Sequence, residues 1–139
     1  MKALTRTLAG ITLALGTTAA MASDAPEDAS AYFISPQDGE TVSSPVTVRF
    51  GLEGMGVAPS GVDRKNTGHH HLLVDVEEMP AMDEPIPSDD QHRHFGGGQT
   101  QTTLDLEPGE HELTLLLGDE THTPHEPPVK SETITITVE

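Results

Sequence analysis

Seven of the chain's eight histidines stand in three tight groups: the triplet His69-His70-His71, the pair His92 and His94, and the pair His122 and His125. Imidazole is the commonest protein metal ligand, and an unperturbed pKa near 6.5 leaves it largely neutral and able to coordinate at ordinary pH. The chain contains no cysteine, so its nitrogen donors favour Cu(II), Zn(II) or Ni(II) over thiolate-held Cu(I) clusters. Met55, Met79 and Met82 are thioether candidates for Cu(I), although methionines in loops more often cover apolar surface. No pair has the spacing of an established zinc motif such as His-Glu-x-x-His. The candidate ligands are therefore His69, His71, His92, His94, His122 and His125, for copper or zinc, provided the fold brings the groups together.

Local pattern divides the roles within each group. In an extended chain alternate side chains share a face, so His70 goes with Leu72, Val74 and Val76 into the core, half-buried with a hydrogen-bond partner. His69 and His71 point together to the other side. His92-Arg93-His94 has the same spacing and presents both rings on one side. His122-Thr123-Pro124-His125 reads as a loop whose proline limits the backbone freedom lost on binding. The remaining histidine, His111, reads as an ordinary surface residue.

Six runs have strand character and none has helical periodicity. They are 31–34, 46–52, 69–76, 100–106, 110–117 and 133–138, separated by Gly, Pro, Asn and Asp punctuation. Their number and spacing predict an all-β fold, an immunoglobulin-like Greek-key sandwich of about seven strands, with a weak further strand within 77–91. The long irregular segments 54–67 and 77–98 are of a length usually reserved for function or disorder. The second carries Pro80, Pro85 and Pro87, which forbid a helix and favour an extended surface path. In the Greek-key topology the triplet opens one strand, His92 and His94 precede the next, and His122 and His125 follow a third. All three groups then fall at one end of the sandwich, and His111 at the other.

The remaining composition bounds the function. Lys2 and Arg6, the apolar run from Leu8 to Leu15 and the small residues Ala20-Met21-Ala22 read as an export signal over 1–22, with the mature chain beginning at Ser23 in the periplasm or outside the cell. The apolar run is short of the roughly 20 residues that span a bilayer, so no membrane insertion is expected once the signal is gone. Residues 23–30 are small and acidic, a mobile leader by composition, and 31–139 form one domain. Removing the signal takes away two of the seven Lys and Arg and none of the 23 Asp and Glu, leaving a net charge of −18 with neutral histidines. Such a field repels nucleic acid, attracts cations and favours protonated imidazole, raising histidine pKa values. Asp63, Asp75, Asp89, Asp90 and Asp119 stand near the histidines as acceptors that could orient them. Gly96-Gly97-Gly98 is either a nest of N–H groups facing an anion or a hinge. No nucleophile elbow or paired-carboxylate pattern supports an enzyme. A metal-free module binding a periplasmic protein or glycan through the histidine loops is the alternative to a metal site.

Several segments carry a family resemblance: Tyr-Phe-Ile-Ser-Pro-Gln-Asp-Gly (32–39), Phe-Gly-Leu-Glu-Gly-Met-Gly-Val-Ala-Pro (50–59), Thr-Gly-His-His-His-Leu-Leu-Val-Asp (67–75), Pro-Ile-Pro (85–87), His-Arg-His-Phe-Gly-Gly-Gly-Gln-Thr (92–100), Leu-Gly-Asp (117–119) and His-Thr-Pro-His-Glu-Pro-Pro-Val (122–129). Over these the chain resembles the bacterial domain-of-unknown-function family numbered 4399, small exported proteins. The resemblance implies an exported domain and assigns no catalytic or binding residue.

Overall fold

The computed structural model describes residues 21–139, so the expected export signal lies outside the described residues except for its last two. The described chain is all-β: nine strands in two sheets, with no helix among the described residues and none long and apolar enough to cross a membrane. The six expected runs are β1 (Ser30–Ser35), β3 (Val46–Glu53), β5 (Thr67–Val74), β7 (Gln101–Leu104), β8 (Gly109–Gly118) and β9 (Ile134–Val138). Three short strands are additional: β2 (Thr41–Val42), β4 (Gly56–Val57) and β6 (His92–His94). The three-stranded sheet has the order β1-β3-β7 and the larger one β2-β9-β8-β5-β4, with β6 also on β5. The first, second and fifth strands of an immunoglobulin sandwich thus face the last, penultimate and third.

Two expectations about strands change. No strand forms within 77–91, and His92–His94 pairs with β5 in the larger sheet instead of merely leading into the next strand. A three-residue polar strand is held by its backbone ladder, which the apolar pattern does not reveal. The 23–30 leader is not free either: the Ala25 N–H donates to the Glu126 carbonyl at 3.0 Å, and the Glu126 N–H donates to the Ser23 carbonyl at 3.0 Å. Acidic composition says nothing about such backbone pairing.

Alternation on β5 and β8 builds two apolar layers. Leu72, Val74, Leu113 and Leu115 meet Val46, Val48, Phe50 and Leu104 between the sheets. Leu73 and Leu116, on the opposite face, are covered by Ile86, with Met82 and Val76 packed alongside. The proline-rich 77–91 segment is therefore a strap over the outer face of the larger sheet. Together with the segment after β8, which lays His125 against Gly68 and His122 against His69, it leaves β5 buried on both sides from Gly68 onward.

His70 points between the sheets as its alternation requires, but it is fully buried and neither ring nitrogen has a partner among the described residues. Its ring packs at 5.2 Å from that of Phe50. Burial pushes its pKa down to about 4. Orphaned buried polar groups cost about 1–3 kcal/mol each, so His70→Leu, close to it in volume, is expected to raise stability by about 1–2 kcal/mol in urea unfolding. A loss of stability would mean that the ring has a polar role inside the core.

Candidate metal centre

The outer face of β5 carries His69 and His71, both buried, with the strap residues Ile86 and Ser88 beside His71. The β5–β8 register sets His69 opposite Gly118 and His71 opposite Leu116. The β5–β6 register sets His71 opposite His94 and Leu73 opposite His92. Directly paired residues share a face, so His94 lies beside His71 while His92 is displaced by two residues, roughly 7 Å along the strand. His122 arrives from the loop after β8. Its φ of 69° is left-handed, a conformation more open to His, Asn and Asp than to most residues. Asp119 holds this loop: its Oδ1 accepts from Thr121 N at 2.9 Å, Thr121 Oγ1 at 2.8 Å and Thr123 N at 3.0 Å, and its carbonyl accepts from His122 N at 3.0 Å.

One nitrogen from each of His69, His71, His94 and His122 lies within 4.8 Å of the other three. His69 Nε2 is 3.0 Å from His122 Nδ1 and 3.2 Å from His94 Nε2. Nitrogens bound to one ion at 2.0–2.1 Å stand about 2.9–3.4 Å apart for square or tetrahedral angles, so both of these pairs are already at ligand spacing. A neutral imidazole has one N–H, and His69 Nε2 has two nitrogen neighbours; a cation between them satisfies all three lone pairs where a single proton cannot. A cavity of about 70 Å³ lined by His71, Ile86, Ser88, His94 and His122 opens on the group, more than the roughly 10–15 Å³ one water needs.

The electrostatics favour the coordinating form and reverse the expectation drawn from net charge. Burial, reinforced by neighbouring His94 and His122, lowers the His69 pKa to about 4. Burial and the other three rings lower His71 to about 3, and burial with His122 lowers His94. Removal from water acts at each ring directly, whereas surface carboxylates act through solvent and salt.

His92 and His125 stand outside this group of four. His92 Nδ1 pairs with Asp89 Oδ1 at 2.8 Å. His125 is buried and its Nε2 donates to the Thr67 carbonyl at 3.0 Å. His111 is not a plain surface residue: its Nδ1 meets Asp75 Oδ2 at 2.6 Å and its Nε2 the Glu107 carbonyl at 2.7 Å. Burial lowers its pKa, but these acceptors outweigh burial and the net shift is upward. Among the acids, Asp75 serves His111, Asp89 serves His92, and Asp119 serves the His122 loop. Met82 belongs to the apolar patch under the strap and Met79 is exposed.

Three glycines make room for the rings, a role not anticipated from sequence. A Cβ on Gly118 would fall 2.6 Å from His71 Cε1, one on Gly68 would fall 2.8 Å from His125 Cε1, and one on Gly96 would strike His94, with Nε2 at 2.8 Å. The Nδ1 atoms of His69, His71 and His125 have no partner among the described residues, so packing against backbone replaces the usual second hydrogen bond in holding them. Gly96-Gly97-Gly98 is no open nest, since Gly97 N–H donates to Gln99 Oε1 and Gly98 N–H to the Phe95 carbonyl. Gly118→Ala is expected to push the His71 ring aside and destabilise by about 1–3 kcal/mol, as overpacking does, measured by thermal unfolding. An unchanged melting temperature would show the ring free to move.

The family model described as Domain of unknown function (DUF4399) matches residues 48–139, a span that contains every histidine of the chain. No curated protein and no solved structure matches the chain.

Proposed function

The chain belongs to the DUF4399 family, and as a function for this member we propose an exported binding module, periplasmic or secreted, that holds one divalent transition metal, copper or zinc, between His69, His71, His94 and His122. The observation that carries this reading is the convergence of four ring nitrogens within 4.8 Å. All four donors are imidazole nitrogens, a set suited to Cu(II) and Zn(II) and unsuited to Ca²⁺ or Mg²⁺, which take oxygen. The strongly acidic surface concentrates cations around the site. Export rests on the 1–22 pattern alone.

The test is direct. Untagged protein 23–139, loaded with Cu(II) or Zn(II) and freed of excess, should carry one equivalent of metal. Its melting temperature should rise over a chelator-treated control, corresponding to about 2.7 kcal/mol at one hundred times the dissociation constant. Protein that takes up neither metal and does not shift supports the metal-free module instead, with the histidine loops contacting a protein or glycan.

A further inference from the structure

Asp119 is a buried carboxylate without a counter-ion among the described residues. It is 2% exposed, and the ion pairs formed among the described residues involve Asp75 and Asp89 instead. Its Oδ1 is saturated by the three donors from Thr121 and Thr123, whereas among the described residues Oδ2 receives only the backbone nitrogen of Ser23, at 3.3 Å. Buried charges are ordinarily paired. In the full chain that nitrogen belongs to a neutral amide and supplies no charge.

Ser23 is also the residue that follows the small-residue cleavage pattern Ala20-Met21-Ala22. Two independent observations thus meet at one atom: sequence pattern marks the Ala22–Ser23 bond for hydrolysis, and the fold places the nitrogen that hydrolysis would free against an unpaired carboxylate. We propose that the α-ammonium released at Ser23 by a signal-removing peptidase is the counter-ion of Asp119, so that maturation of the N-terminus completes the loop that carries His122 and His125. Water adds across the peptide bond; Ala22 departs with the new carboxylate, and the Ser23 nitrogen takes a proton to become the ammonium. The new terminus is already held in place. Ser23 Oγ donates to Glu120 Oε2 at 3.4 Å, the Ser23 carbonyl accepts from Glu126 N, and Asp24 bridges to Glu126. The chain end and the His122 loop are therefore ordered together. Changing an amide contact into a charge-assisted one strengthens it roughly twofold.

This inference rests on the export reading and is independent of the metal. The exported protein should begin at Ser23 by N-terminal sequencing and intact mass; an uncleaved chain or another start overturns the proposal. Four chelator-treated proteins then isolate the charge: chains beginning at Ser23 or at Ala22, each with and without Asp119→Asn. The Ser23 chain is expected to melt about 3–8 °C above the Ala22 chain, and Asp119→Asn should abolish the difference. Where Asp119→Asn does not fold, acetylating the α-amine of the Ser23 chain should bring its melting temperature down to that of the Ala22 chain. Equal melting temperatures for the Ser23 and Ala22 chains, or a gap that survives Asp119→Asn or acetylation, would show that the terminus is not the counter-ion. A chain that starts at Ser23 without the stability difference refutes the counter-ion and leaves the export reading intact.

Discussion

His69→Ala is expected to weaken binding of Cu(II) or Zn(II) at least a hundred-fold, because even partners behind the ligands cost 10–100-fold when removed. His69 Nε2 is the nitrogen nearest two others, at 3.0 Å from His122 and 3.2 Å from His94, so its loss disperses the site. His94→Ala and His122→Ala should be close behind. His92→Ala, whose ring is bound to Asp89, and His111→Ala, held by Asp75 and Glu107, should leave affinity within about threefold. His125→Ala, beside the site but engaged with Thr67, is expected to fall between, near the 10–100-fold of an indirect support. Competition titrations against a chromophoric chelator give all six values. Equal losses at His69 and His111 would place the ligands elsewhere.

The second large effect is acid sensitivity of the metal-free protein. Folding lowers the pKa of His69 and His70 to about 4 and of His71 to about 3. Below about pH 6.5 the unfolded chain takes up protons that the folded chain refuses, so acid favours unfolding. The stability these residues contribute is complete above the unfolded value and drains away as pH falls toward 4. Each contributes a slope of roughly 1.4 kcal/mol per pH unit, about 4 kcal/mol per unit for the three. His111, shifted the other way, gives a single opposing term, present at low pH and lost as pH rises through its folded pKa. The carboxyl of Asp119 works against burial through its hydrogen bonds from Thr121, Thr123 and Ser23; its net shift is downward, so its contribution fails only at still lower pH. From pH 6.5 to 4 the slope of the three histidines removes up to about 10 kcal/mol, so a metal-free fold with a total of about 5–10 kcal/mol, the lower part of the typical range, should be lost between about pH 4 and 5.5. Urea unfolding from pH 8 to 4 measures this, and His70→Leu should flatten the slope by about a third. A stability independent of pH down to 4 would mean that the rings reach water. Bound metal should extend the stable range, since a coordinated nitrogen cannot be protonated.

Much of this architecture is readable in the chain because strand alternation is a strong code where one face is apolar. Leu72 and Val74 announce which way His70 points, and thereby send His69 and His71 to the opposite face. The convergence of His94 and His122 follows from topology, although by a different path: His94 arrives on an extra edge strand. What escaped reading depends on tertiary packing. Ile86 is an isolated apolar residue among prolines, and only its burial against Leu73 and Leu116 shows the segment to be a strap. The missing hydrogen-bond partner of His70 is a property of what surrounds it. Net charge points the histidine pKa values upward while burial drives those of His69, His70 and His71 down, because burial acts within a few ångströms and the charge total does not report it. The glycines opposite the rings carry no signal of their own until the rings are placed.

The strap has a kinetic side. Its Ile86 N–H donates to the His122 carbonyl at 2.8 Å, and the Ile86 side chain is 5% exposed. Lifting it to widen the cavity forfeits about 1.5–3 kcal/mol of apolar burial and about 0.5–1.5 kcal/mol of hydrogen bonding. The lifted state would then be populated in roughly one molecule in 30 to one in 2,000. An ion leaving by that route would wait for the opening, so its residence time would be set by how firmly Ile86 is seated as well as by the strength of four nitrogen bonds.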